Sequence, residues 1–152
     1  MSAVRAAVAG LALLMAAACS APAPPRAQEA VPVCPQSQGP PGPETATTID
    51  VVEQAYFCIL DAYYGGPALD ARTLLTAGFA ALTRELGREG RDLPGAVMPA
   101  LTGDRKGDWA AFESTFRKLA DQVPGLRERL AAAALDAVVA ALGDDHARWT
   151  HG

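Results

Sequence analysis

From Thr48 onward, apolar residues return every three or four positions, and no stretch keeps the alternation that a half-buried strand would show. The spacing predicts four helices. The first spans about Ile49 to Tyr64, with Ile49, Val52, Tyr56, Ile59 and Tyr63 on one stripe and Val51, Ala55, Cys58 and Ala62 on a second beside it. So wide an apolar face calls for burial from two sides. Thr47, with Asp50 three residues later, supplies a start signal, and Gly65-Gly66-Pro67 supplies a stop.

The second helix is expected to follow Asp70 as its N-cap, to place Leu74, Leu75, Phe79, Leu82 and Leu86 on one face, and to end at Gly87. An interior glycine such as Gly78 costs a helix about 1 kcal/mol relative to Ala, which points to a close helix crossing there. Residues 87 to 107 hold five glycines and two prolines and read as a long loop with room for one short helical turn. A third helix, capped by Asp108, is expected from Trp109 to Gln122 with Trp109, Phe112, Phe116, Leu119 and Val123 facing inward. The fourth runs from Leu126 to Leu142, turns Leu126, Leu130, Ala134, Leu135, Val138 and Leu142 inward, and has Gly143 at its C′ position. Four amphipathic helices with one long and two short connections predict an all-α fold, a small bundle of about four helices.

Ahead of the bundle the pattern changes twice. Arg5 precedes an apolar stretch from Ala6 to Ala18, and Ala16-Ala17-Ala18 offers the small residues of a signal peptidase cut, so residues 1–18 read as a secretory signal peptide. Crossing a bilayer takes about 20 apolar residues, and Ser20, Pro22, Pro24 and Pro25 stop this run too early. Small residues followed by Cys19 resemble the lipobox of bacterial lipoproteins, in which that cysteine is acylated, although Ala16 stands where Leu is usual. Export with a lipid anchor on Cys19, at the cell envelope, and plain secretion both follow from this pattern. Residues 19–48 contain eight of the 12 prolines and form a tether rather than a domain, leaving 49–152 as the helical domain.

Cysteine parity bears on the same question. Of three cysteines, lipidation of Cys19 would consume one, leaving Cys34 and Cys58 as a natural disulfide pair. Closing a loop of that length is worth roughly 3 kcal/mol. Zinc held by two cysteines 24 positions apart, without a CxxC, is the weaker alternative.

Charge and motif content narrow the function further. A net charge of −4 with no basic run lacks the electrostatic footprint of nucleic-acid binding. Neither GxSxG nor a Cys beside a His is present, and Gly103-Asp104-Arg105-Lys106-Gly107 lacks the ending of a phosphate-binding loop and reads as a solvated turn. Asp144 and Asp145 are adjacent acids whose bland reading is solvent exposure, and Asp144, Asp145, His146 and His151 could in principle hold a metal. The expectation is no resident metal and no cofactor. The aromatic residues sit at core spacing, with Trp109 and Phe112 as the candidates for lining a partner groove.

The end of the fourth helix carries one more pattern, Leu142-Gly143-Asp144-Asp145-His146-Ala147-Arg148-Trp149. It resembles a segment of the S41 peptidase family, the C-terminal processing or tail-specific serine proteases, in which Leu, Asp and His at alternate positions precede Ser or Thr and then an aromatic residue. The upstream order is similar too: a helix ending in paired tyrosines, Tyr63-Tyr64, an Ala- and Leu-rich helix, a variable loop, and an Ala-rich helix leading into the motif. Leu142, Asp144, His146 and Trp149 match, whereas Ala147 replaces the hydroxyl residue and Trp149 stands where Tyr or Phe is commoner. In that family a PDZ domain and the catalytic domain follow this region. The catalytic Ser and Lys have no counterpart here, so the resemblance assigns no catalytic residue. It implies a non-catalytic N-terminal helical domain, of a whole or truncated peptidase, that packs beside or assembles a peptidase/PDZ module. The alternative is a stand-alone envelope lipoprotein, anchored to the membrane by its N-terminal lipid and binding another envelope protein.

Overall fold

The computed structural model of the chain describes Cys34 and residues 46–147. Over these residues the protein is all-α: α1 (Ile49–Ala62), α2 (Ala71–Arg88), α3 (Arg105–Gln122) and α4 (Arg127–Ala140), with single 3-10 turns at Gly66–Ala68 and Pro124–Leu126. Among the described residues there is no strand, and no helix is long and apolar enough to cross a membrane. The leader, Cys19, Trp149 and His151 lie outside the described residues.

Several helix ends fall elsewhere than the sequence suggests, each for a local reason. Thr48 rather than Thr47 caps α1, its hydroxyl accepting from the Val51 N–H, while Thr47 is buried. Gly87 does not end α2. The stop is Gly90, whose φ of 65° lets the Gly90 N–H bond Gly87 O and the Arg91 N–H bond Leu86 O, closing the last turn. The third helix begins one turn early. Asp104 is its N-cap, accepting from the Gly107 N–H at 2.6 Å. Asp108 is not a cap at all: it is 1% exposed and folds back to accept the N–H groups of Thr102 and Gly103 and the Thr102 hydroxyl. Burial alone would raise its carboxyl, but those bonds and the Arg72 charge outweigh it and hold the group below the usual carboxylate range. The loop between α2 and α3 holds no helical turn; Leu93, Ala96, Met98 and Leu101 lean against the core instead. The fourth helix ends at Ala140, so Gly143, with φ 64°, shapes the chain beyond the cap.

The core is built around α2 and α4, which pack along their lengths. Leu74, Leu75 and Leu82 from α2 meet Leu130, Ala134, Leu135 and Val138 from α4, all fully buried. Each large aliphatic side chain buried in this way is worth about 1.5–3 kcal/mol. At Gly78 the two helices lie close together. A methyl group there would sit 3.2 Å from Val138 Cγ2 and 3.4 Å from the Ala134 carbonyl oxygen, which accounts for an interior glycine in an otherwise strong helix. Phe112 and Phe116 of α3 and Val52, Tyr56 and Leu60 of α1 complete the core.

The meeting of α1 and α3 is different in kind. Tyr56 stacks on Trp109 with centroids 5.4 Å apart, Phe57 meets Trp109 edge-on, and Phe112 lies 5.5 Å beyond. The Tyr56 hydroxyl donates to the Arg105 carbonyl at 3.3 Å. Burial, then the Asp108 charge, push that phenol up to about 12. Around the rings run charged pairs: Arg105 with Asp61, and Arg117 with both Asp50 and Glu113.

Candidate functional site

The tail of α1 and the tail of α4 converge on one corner. The Gly65-Gly66 turn lets the chain leave α1 sharply, with the Gly66 N–H bonded to Tyr63 O at 2.8 Å. Gly66 is itself buried, and a side chain there would collide with the carbonyl oxygens of Ile59 and Leu60. Tyr63 is thereby left at the C-cap with its ring against that of Tyr64, at a centroid distance of 4.7 Å. On the other side, residues 141–143 unwind through i→i+3 and i→i+4 bonds to Val139, Ala140 and Ala137, and Gly143 takes a left-handed conformation that turns the chain toward α1.

Asp144 closes the corner. Its Oδ2 accepts from the Tyr63 hydroxyl at 2.8 Å across 81 residues of sequence, and its Oδ1 accepts from the His146 N–H at 2.9 Å. The Ala147 N–H adds a turn bond to Asp144 O at 3.0 Å. The two side-chain bonds hold the Asp144 carboxyl below its ordinary range, the His146 N–H contributing most and the Tyr63 hydroxyl next. The partnership is mutual. Donating to a carboxylate, with some burial added, raises the Tyr63 phenol well above its usual value.

Chemically this is a fastened turn rather than a reaction centre. Both carboxylate oxygens of Asp144 are engaged and ionised, leaving it no role as a proton-bearing acid near neutral pH. Asp145 and His146 face solvent. Among the described residues no group of three or more His, Cys, Asp or Glu side chains could hold a metal ion. Of the motif positions, Leu142 packs against the core and Asp144 and the His146 backbone form the turn, while Trp149 and His151 lie outside the described residues.

The remaining sites named from sequence fall out unevenly. Cys34 and Cys58 are joined as a disulfide with their Cα atoms 5.3 Å apart, which fastens Cys34 of the tether to the third turn of α1. Trp109 and Phe112 do not line a groove. They are 3% and 0% exposed, because their face of α3 is covered by α1 and by the centre of the bundle. The surface instead has a cleft of about 440 Å³ between α2 and α4, where Ala81, Ala133 and Ala137 form a small-residue floor flanked by Arg84, Glu85 and Arg129. Sequence reasoning did not foresee the bond from Tyr63 to Asp144, although both residues stood in the segments that carry the peptidase resemblance. It also missed Glu53, a polar residue between apolar stripes whose carboxyl lies beside the buried indole of Trp109.

No protein-family model matches the chain, and no curated protein or solved structure matches it significantly.

Proposed function

We propose that the chain is an exported, non-catalytic helical front unit of an S41-type serine peptidase, tethered to the envelope by a lipid on Cys19 or secreted, with a packing or assembly role toward a peptidase/PDZ module. One observation carries the reading. The paired-tyrosine end of α1 and the Leu-x-Asp-x-His segment, which the resemblance picks out separately, are tied to each other by the bond from Tyr63 to Asp144. A bond between distant segments gives the motif a physical purpose: it sets the direction in which the chain continues past α4. Pinning both ends of a turn removes backbone freedom that a following module would otherwise have to lose on docking.

The test is genetic and biochemical together. Reading the coding DNA past codon 152 is expected to give a PDZ-like segment and a Ser-Lys pair, in frame or across a frameshift. An unrelated gene after a genuine stop would favour the stand-alone adaptor. Peptidase turnover by the purified 152-residue chain, abolished by one point substitution, would overturn the non-catalytic assignment.

A further inference from the structure

The chain reaches α1 by two covalent routes. Along the backbone it arrives at Thr48, the N-cap, and across the Cys34–Cys58 disulfide it arrives at the third turn of the same helix. Thr48 and Cys58 lie ten positions apart, a rise of about 15 Å along a helix. The 14 positions from Cys34 to Thr48 could span up to about 46–50 Å if drawn straight. The bridge therefore holds back roughly 30 Å of available chain length.

α1 is seated by other means than this bridge. Ile49, Val52, Tyr56 and Leu60 are buried in the core, Thr48 caps the helix start, and Asp50 and Asp61 pair with Arg117 and Arg105 of α3. Cys58 lies off that buried stripe, and both cysteines are only half-buried, open to an external thiol. Opening the bridge would free Cys34 and leave α1 in place.

We propose that the Cys34–Cys58 bridge is a reducible clasp that sets how far the bundle stands from its anchor. The proposal rests on the reading of residues 19–48 as a tether held at Cys19. With the clasp closed, the tether is rooted at Cys58 and 15 positions separate Cys19 from Cys34; with it open, the root is Thr48 and the separation is 29 positions. At about 3.1 Å per residue for a Pro-rich chain, the outer limit of reach moves from roughly 47 Å to roughly 90 Å. The opening step is exchange with an external dithiol. One of its thiolates attacks a bridge sulfur and breaks the S–S bond to give a mixed disulfide, and its second thiolate then displaces the remaining cysteine. The dithiol leaves as a cyclic disulfide, and Cys34 and Cys58 are left as thiols carrying its two protons.

The test uses the oxidised 152-residue chain, in which Cys19 is the one cysteine outside the bridge and takes a maleimide-linked acceptor dye through a thioether that survives reduction. Trp149→Phe leaves Trp109 as the sole tryptophan donor, stacked on Tyr56 two positions before Cys58. Energy transfer is measured from the Trp109 lifetime with and without the dye, before and after addition of dithiothreitol. The r.m.s. reach of the tether should rise about 1.4-fold on reduction, so transfer falls while helix content by circular dichroism is kept. In Cys34→Ser/Cys58→Ser, transfer should start at the lower value and ignore the reductant. Unchanged transfer on opening the bridge, or an equal fall in the variant lacking it, would overturn the clasp. So would loss of the helices on reduction or in that variant, which would make the bridge a staple of the fold. Neither lipid nor peptidase enters the measurement: a negative result leaves the peptidase reading standing, and an unrelated gene past codon 152 leaves the clasp standing.

Discussion

Two of the helix seams in this bundle are built from opposite materials. Between α2 and α4, leucine, alanine and valine close on Gly78, where an added methyl group would press on Val138. Between α1 and α3, stacked rings are flanked by Asp50, Glu113 and Arg117. The first seam is held by shape and should respond to volume. The second is held partly by charge and should respond to protons. The corner from Tyr63 to Asp144 belongs to neither seam: the cap of α1 supplies one half and the turn after α4 the other.

The largest expected effects lie in the apolar seam. Leu135→Ala removes a fully buried side chain facing α2 and should cost about 2–5 kcal/mol by urea denaturation. Gly78→Val probes the same seam by overpacking and should cost about 1–3 kcal/mol or more. A loss near zero at Gly78 would mean that the close crossing is not a constraint.

Next in size is Asp108. Replacing it with Ala leaves the N–H groups of Thr102 and Gly103 without their acceptor, at a cost of about 1–3 kcal/mol. Because the folded chain holds this carboxyl below its ordinary value, its contribution is present above about pH 4 and lost as pH falls through the folded value. The acid limb of a stability curve should therefore be shallower in Asp108→Ala than in the wild type. At the alkaline end the sign reverses. The Tyr56 phenol is pushed up to about 12, so its contribution is full below about pH 10 and is lost as pH rises through the folded value. Tyr56→Phe should remove that part of the alkaline loss.

Smallest is the exposed charge network. Arg117→Ala breaks pairs to Asp50 and Glu113 that are largely solvated and should cost under about 1 kcal/mol, less still in high salt. A much larger loss would show that Arg117 is essential to the polar seam rather than one member of it.

The same division explains what could be read from the chain. Apolar spacing located all four helices and nearly all the core, because burial of Leu74, Leu82, Phe112, Phe116, Leu135 and Val138 follows directly from helical periodicity. The Cys34–Cys58 bridge was legible from parity once Cys19 was set aside as the lipidation candidate. Helix ends were less so. Gly87 and Gly90 are both plausible stops, and only the backbone shows that the positive φ belongs to Gly90. Asp104 and Asp108 are equally good caps on paper, and the choice depended on whether the loop needed an acceptor for Thr102 and Gly103. Trp109 and Phe112 were weighed as groove residues because residue type does not reveal what covers a helix face; α1 covers it. The pairing of Tyr63 with Asp144 depends on how two distant helix ends meet, which no local pattern encodes.

The direction of the chain past α4 depends most on that pairing. Amide hydrogen exchange at His146, compared in the wild type and in Tyr63→Phe, tests it directly. The His146 amide should be protected in the wild type by its bond to Asp144 and should exchange markedly faster in Tyr63→Phe, while core amides such as that of Leu82 keep their protection. Fast exchange at His146 in the wild type, or protection indifferent to the loss of the Tyr63 hydroxyl, would contradict it.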